Sequence, residues 1–351
     1  MKTNRLAAAF LFLLAPGASW ASTVSFSLIH APDMNPLALA GFQAAANSWS
    51  SLFDNNVNVV LAIGLEPLGA SILGSTSTTE VYASYSAVRT QLAAGASPSA
   101  VDRTAIQNLG SGADIPILIN HTTEHPGSAY YVDDNNSLNN ANVLMSAAEA
   151  KALGFTLPGG ITEDAAITFS SNFSWDYNPS DGITPGLHDF VGVATHEIGH
   201  ALGFLSEVDE LDYDAGAGCV NSPNSENSYF PTVLDLFRYS TTSASVGAID
   251  LTADSRSKYF SVDGGTTLAP QFSNGVNCGG DGRQASHWKD NLGIGIMDPT
   301  AATGERLVIT RNDLDAFDAI GWNLSVPEPA SLLLCAAGLA ALAIRRKRRE
   351  P

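Results

Sequence analysis

Apolar residues between Pro36 and Phe53 recur at helical spacing, with Leu39, Phe42, Ala46, Trp49 and Phe53 on one face, so this stretch reads as an amphipathic helix. The run that follows, VNVVLAIGL at 57–65, alternates and is β-branched, which predicts a strand. Helical patterns return at 80–94, 99–109 and 138–153, with short strand-like runs at 114–119 and 165–170 between them. Helices mixed with strands in that order argue for an α+β fold rather than a sandwich. Beyond residue 203 the texture changes. Residues 207–232 are rich in Asp, Asn, Ser and Gly, which is loop composition. FRYS at 237–240 is strand-like, and KYFSVDGGTTL at 258–268 reads as a hairpin turning at Asp263-Gly264-Gly265. Thr310 and Asp313 make a capping box that opens a last helix through Ile320, with Gly321 stopping it. The body thus divides into an N-terminal part, 22–186, with a mixed sheet and helices, and a loop-rich part, 187–325, ending in a helix.

The two ends follow different rules. Residues 1–21 begin with Lys2 and Arg5, continue apolar from Leu6 to Ala15, and finish with Ser19 and Ala21 in a small-x-small pattern. That is a secretory signal peptide, which places the mature start near Ser22. At the other end an apolar stretch from Ser331 to Ile344 runs straight into five basic residues, Arg345 to Arg349. Such a stretch spans about 21 Å as a helix, short of a hydrocarbon core of ~30 Å, and its basic end would stay cytoplasmic. Val326-Pro327-Glu328-Pro329, the apolar stretch and the Arg-rich end together resemble the PEP-CTERM sorting tail of exported bacterial proteins. The resemblance covers 326–351 and implies a membrane transpeptidase, exosortase, as the partner that recognises and cuts the tail.

Setting both ends aside changes the charge picture. They hold seven of the 17 basic residues and two of the 35 acidic ones, leaving 10 basic against 33 acidic in the body. A body so acidic repels phosphate backbones, which argues against nucleic acid as a partner. Of the three cysteines, Cys335 lies in the tail, so Cys219 and Cys278 remain for an oxidising compartment and a disulfide. Closing that loop would contribute on the order of 4 kcal/mol in the chain-entropy view.

The chemistry concentrates in THEIGHALGFLSE, 195–207. A helix from about Thr184, with Pro185 in its first turn, to Leu202 would stack His196 over His200 on one face, about 6 Å apart along the axis. Both imidazoles could then reach one Zn2+, with Glu197 beside them as general base for water. Gly203 can end the helix with positive φ and reverse the chain. Metzincins place their third histidine three residues after this glycine, where this chain has Ser206, a poor zinc ligand. With seven histidines the search for a replacement is short. His188 would lie about 12 Å along the same helix, too far to share the ion. His30 is far upstream. His121 and His125 match an inverted HxxEH pattern, but Pro126 disfavours a helix there, so their rings should not converge. His287 remains, ten residues before Met297, a candidate Met-turn. Glu226 stands as the alternative third ligand of a gluzincin-like enzyme, and a non-enzymatic envelope protein with a structural zinc site is the further alternative.

HEIGHALGF, a long insertion, SHW, and a Met followed two residues later by Pro resemble leishmanolysin, a metzincin whose third histidine follows a large insert. The chain is similar as well to bacterial metalloproteases with PEP-CTERM tails that share WDY near Trp175 and a closing AFDAIGW. The resemblance implies a metzincin-like catalytic domain and an exported zinc endopeptidase, with His196, His200 and His287 as ligands, Glu197 as base and Met297 as Met-turn. It implies further that the strand at 164–171 borders the cleft and pairs with extended substrate. Two departures stand out: the dense cysteine framework of leishmanolysin is absent, and no cysteine precedes the motif to serve as a latch. The acidic run Asp209, Glu210, Asp212 and Asp214, ending at Gly216, reads as a solvated loop or as carboxylates offered to Ca2+.

Overall fold

Residues 24–325, apart from 128, 220 and 221, are described by a computed structural model of the chain. The signal peptide at 1–21 and the sorting tail at 326–351, with Cys335, lie outside the described residues. Strand β1 (Ser25–Ile29) leads into α1 (Pro36–Ser50), where Asn35 caps the first turn by accepting from the Leu37 amide and Pro36 fills a position needing no N–H. Strand β2 (Asn58–Glu66) follows as the alternation demands, with Val59, Leu61 and Ile63 turned into the core. Strand β3 (Gly74–Thr78) and strand β4 (Glu80–Ser84) precede helix α2 (Tyr85–Gly95). After α3 (Ala100–Asn108), β5 (Ile117–Ile119) and β6 (Tyr131–Asp133) comes a helix–strand–helix run: α4 (Leu138–Ala141), β7 (Asn142–Ser146) and α5 (Ala147–Ala152).

Two stretches with helical periodicity are therefore part strand. β4 and β7 pair with each other, Glu80 opposite Ser146 through Ser84 opposite Asn142. Short runs such as VYAS and NVLM satisfy either period, and the cross-strand partner decides between them. Serines then mark the switch back to helix, Ser84 accepting from the Ala87 amide and Ser146 from the Glu149 amide.

β8 (Ala165–Ser170) completes the main sheet, whose order is β1-β2-β8-β3. The first three strands are mutually parallel and β3 runs antiparallel on the outer edge. A small parallel pair, β9 (Trp175–Asp176) and β10 (His188–Asp189), leads into α6 (Phe190–Ala201). Here α1 and α6 approach closely: the Phe190 ring fills the space a side chain at Gly41 would need, and Phe42 meets Phe169 and Phe190 edge-on at 4.8 and 5.1 Å. The indole of Trp49 donates to the Thr195 carbonyl at 2.9 Å, tying α1 to the middle of α6.

The stretch read as loop after Gly203 contains a helix, α7 (Val208–Ala215), with Val208, Leu211 and Ala215 buried. Its polar composition masked an apolar stripe one residue wide. β11 (Arg238–Tyr239) precedes α8 (Thr241–Ser245) and β12 (Ile249–Asp250); β13 (Lys258–Phe260) then pairs antiparallel with β14 (Gln271–Phe272), so the returning strand lies beyond the expected 258–268 and the loop 261–270, with Gly264 and Gly265 at positive φ, replaces the tight turn. β12 pairs with β5, so the later part of the chain contributes a strand to a sheet of the earlier part. Helix α9 (Arg311–Ala319) opens on the predicted Thr310–Asp313 capping box. Beyond it Trp322 donates to the Leu202 carbonyl at 2.7 Å, closing the core behind α6.

Asp313 does more than cap its helix. Its buried carboxylate accepts from the amides of Thr310 and Ile296 at 2.7 and 2.9 Å and from the Trp288 indole at 2.8 Å. Asp313→Ala strands three buried donors and should cost about 3 kcal/mol, read as a lower urea midpoint. An unchanged midpoint would show that the carboxylate is dispensable.

Candidate metal centre

Helix α6 starts later than its sequence suggests. Asp189 caps it, accepting from the Gly192 amide at 2.8 Å, while Pro185 lies in the turn before, next to Gly186 at φ 86°. Asp176 folds that turn back by accepting from both the amide and the hydroxyl of Thr184. Proline suits a helix start and a turn equally, and the Asp189 cap chose the turn. His188 consequently sits in β10, edge-on to Phe173 at 5.3 Å, not on the motif helix.

The structure brings His196, His200 and His287 to one point. Their Nε2 atoms form a triangle with sides of 3.1, 3.2 and 3.2 Å. Each ring donates its Nδ1–H to a backbone carbonyl: His196 to Ile296 and His200 to Phe204 at 2.8 Å, His287 to Gln284 at 3.2 Å. A carbonyl can only accept, so the proton of each neutral ring is committed to Nδ1. Burial, with the neighbouring His196 imidazole second, lowers His200 to about 3; burial and the two other imidazoles hold His287 well below the usual histidine range. Two bare lone pairs thus face each other across 3.2 Å, which is repulsive unless a cation lies between them. Nitrogens bound to one tetrahedral ion at ~2.05 Å stand roughly 3.3 Å apart, close to the triangle found.

His287 arrives through a loop held from two sides. Asp209, on α7, accepts from the amides of Ala285 and Ser286. Burial pushes the Asp209 carboxyl up to about 6, against the pull of those hydrogen bonds. From the opposite side Arg238 donates to the Ala285 carbonyl at 2.6 Å, its guanidinium paired with Asp235 at 2.9 Å and lying 4.1 Å over the Phe272 ring. Ser206, where a metzincin would have its third histidine, donates instead to Asp235 at 2.7 Å. The reversal that permits this is Gly203, at φ 110°, with the Glu149 carboxyl packed where a Cβ would go. Under the helix lies Met297, fully buried, and the Trp288 amide donates to its carbonyl at 2.9 Å.

Glu197 points toward β3. Its Oε2 accepts from the Thr76 hydroxyl at 2.7 Å, and a Cβ on Gly74 would come within 2.6 Å of Oε1. Burial raises this carboxyl above its usual value, while His196 and the Thr76 hydroxyl pull the other way. The strand at 165–170 is not the cleft border: β8 is paired on both sides, and β3 is the edge that meets Glu197. Thr76 and Gly74 escaped sequence reasoning because GSTST carries no apolar signal, only its alternation.

The other candidates go elsewhere. Glu226 accepts from Tyr131 at 2.7 Å and Asn135 at 2.5 Å and does not join the histidines, so it is no third ligand. The HTTEH pair diverges: His125 stacks on Tyr131 with ring centres 3.9 Å apart, while His121 lies against Cys219. His30 is exposed and bonds to the Ala31 carbonyl. The acidic run does not gather around a cation, since Asp209, Asp212 and Asp214 reach three different sets of partners: Ala285 with Ser286, Val276 with Asn277, and Asn224 with Tyr229. Cys219 and Cys278 are joined as a disulfide.

Residues 325–349 match the family model of the PEP-CTERM protein-sorting motif. The chain is that of an exported protein sorted through its C-terminus, a tail of the kind exosortase recognises. No curated protein and no solved structure matches the chain. Among the described residues no helix is long and apolar enough to cross a membrane.

Gly199 lies between the two motif histidines with Met297 directly beneath it: a Cβ there would sit 2.5 Å from the Met297 sulfur. Gly199→Ala should cost about 1–3 kcal/mol in a denaturant titration, because the sulfur has the core behind it. Full stability in this variant would mean that Met297 does not pack where described.

Proposed function

We propose that this chain is an exported zinc-dependent endopeptidase of metzincin type. The observation that carries the proposal is the triangle of Nε2 atoms with its protons committed elsewhere, set beside a buried glutamate on the edge of a sheet. Three neutral imidazoles leaving an open fourth position suit Zn2+, which when bound supplies Lewis acidity to a carbonyl oxygen and acidity to water. His196, His200 and His287 would hold it, oriented by the three carbonyls behind them.

The chain's own residues do the rest. Glu197 takes a proton from water on the open side and passes it to the leaving amine, a task helped by the raised affinity for protons that burial gives it. Thr76 fixes one carboxylate oxygen, and the other lies beside Gly74. The outer edge of β3 carries unpaired backbone groups to which an extended peptide can add as a further strand, and Gly74 keeps the edge clear beside Glu197. Substrate is therefore an extended peptide segment.

The purified chain should carry one zinc and hydrolyse casein. Glu197→Gln should leave the zinc in place and lower turnover 10²–10⁴-fold, about the contribution of a general base. His287→Ala should lower the zinc content, and Glu226→Ala should not. Zinc-loaded protein that leaves casein intact, or Glu197→Gln protein that still cleaves it, defeats the proposal. Thr76→Val should lower kcat about tenfold with KM and zinc content unchanged, and Thr76→Ser should restore it. Equal loss in both Thr76 variants would assign that residue to the fold alone.

A further inference from the structure

A second group of ligand atoms lies away from the three histidines. His121 Nε2 and the sulfurs of Cys219 and Cys278 all fall within 4.8 Å of one another, with Nε2 3.3 Å from the Cys219 sulfur. Among the described residues five non-glycine residues have positive φ, and this group accounts for three of them: His121 at 59°, Cys219 at 46° and Cys278 at 38°. The other two are asparagines, which adopt that conformation readily. A left-handed backbone is strained for cysteine, and such strain persists where surrounding structure imposes it.

The surroundings do impose it, by contacts independent of the S–S bond. Asp212, on α7, accepts from the amides of Val276 and Asn277, both at 2.8 Å, immediately before Cys278. Asn277 returns a hydrogen bond to the Asp212 carbonyl at 3.1 Å. The Cys219 amide donates to Gly216 at the end of the same helix at 2.8 Å. His121 is pinned by its amide to the Gly127 carbonyl and by its own carbonyl to the Ser222 amide. Breaking the disulfide would leave all these contacts standing. The imidazole is fully buried, whereas both cysteines are half-buried and within reach of solvent.

We propose that His121, Cys219 and Cys278 form a redox-gated site for a soft cation of the zinc, cadmium or copper(I) class. The S–S bond breaks and two thiols form when a dithiol gives two electrons and two protons and closes to its own disulfide, or when a phosphine gives two electrons and takes the oxygen of a water whose two protons go to the sulfurs. The cation then binds both sulfurs and Nε2, displacing the two thiol protons into solvent. Thiolates on a tetrahedral ion at ~2.3 Å stand roughly 3.8 Å apart, further than bonded sulfurs, so the oxidised pair excludes the ion and the reduced pair admits it. Oxidation by any disulfide oxidant reverses the sequence and releases the ion. The site is independent of the zinc proposal for the three histidines.

Cobalt(II) tests it, because a thiolate–cobalt bond has a near-ultraviolet charge-transfer band that imidazole ligands lack. The full chain, reduced with a phosphine, desalted and kept anaerobic, should take up one more cobalt than the oxidised chain and show that band. Oxidised chain should not show it. His121→Ala should weaken the band-forming uptake at least tenfold, and Cys219→Ser should abolish the band. The idea is overturned if freed thiols react with a thiol reagent yet give no band, if His121→Ala binds as tightly as the parent, or if the bond yields to phosphine only in unfolded chain. The oxidised–reduced comparison requires no substitution, and an inactive or zinc-free histidine centre would leave its outcome unaffected.

Discussion

Three hydrogen bonds from imidazole to backbone carbonyl set how three histidines face one another, and the rest of the structure serves them. By taking the Nδ1 protons of His196, His200 and His287, the carbonyls of Ile296, Phe204 and Gln284 leave the opposite ring nitrogens as bare acceptors aimed at one point. No rotation of a side chain relieves that convergence, because each ring is held at its far end by main chain. All three of those carbonyls lie outside the motif helix, Phe204 just past the reversal at Gly203 and the other two far along the chain, so the helix alone does not define the site. The sheet, the chain reversal at Gly203 and the loop before Met297 must all be in place first.

Bringing an imidazole from 84 residues beyond Gly203 is a problem of register, and polar groups solve it here. Asp209 grips two successive amides just before His287, and the buried Asp235–Arg238 pair grips the carbonyl between them. Buried charge is a poor source of net stability but a good source of specificity, since each group tolerates few alternative partners. Ser206 shows the same economy of roles: at the position where a shorter-looped relative of the motif would bind metal, its hydroxyl braces Asp235.

Sequence reading succeeded where one element carried the whole signal. His196, Glu197 and His200 needed only a helical period, the Thr310–Asp313 box needed only four residues, and Cys219 with Cys278 needed only counting. His287 was legible by elimination, because few histidines exist and a methionine follows. What failed depended on partners distant in sequence. The strands at 80–84 and 142–146 are strands because they meet each other. Pro185 marks a turn because Asp189, four residues on, caps the helix. Asp209 looked like a cation ligand or a solvated charge, and nothing local says that it will find the amides of Ala285 and Ser286. The edge position of β3 follows from strand order, which no local pattern encodes.

Helix α7 spans only eight residues, yet Asp209 and Asp212, one turn apart on it, hold the backbone at 285–286 and at 276–277. The chain between Gly216 and Gly275 therefore leaves and re-enters at two fixed posts on a single short rod. Within that span Asp235 and Arg238 add a third post on the Ala285 carbonyl, so only the stretches between posts are decoupled in length from the placement of His287, much as the span of a bridge deck is decoupled from the footing of its piers. Segments inserted, shortened or exchanged between those posts can reshape the outer surface of the molecule over evolutionary time while the three imidazoles inside stay where they are.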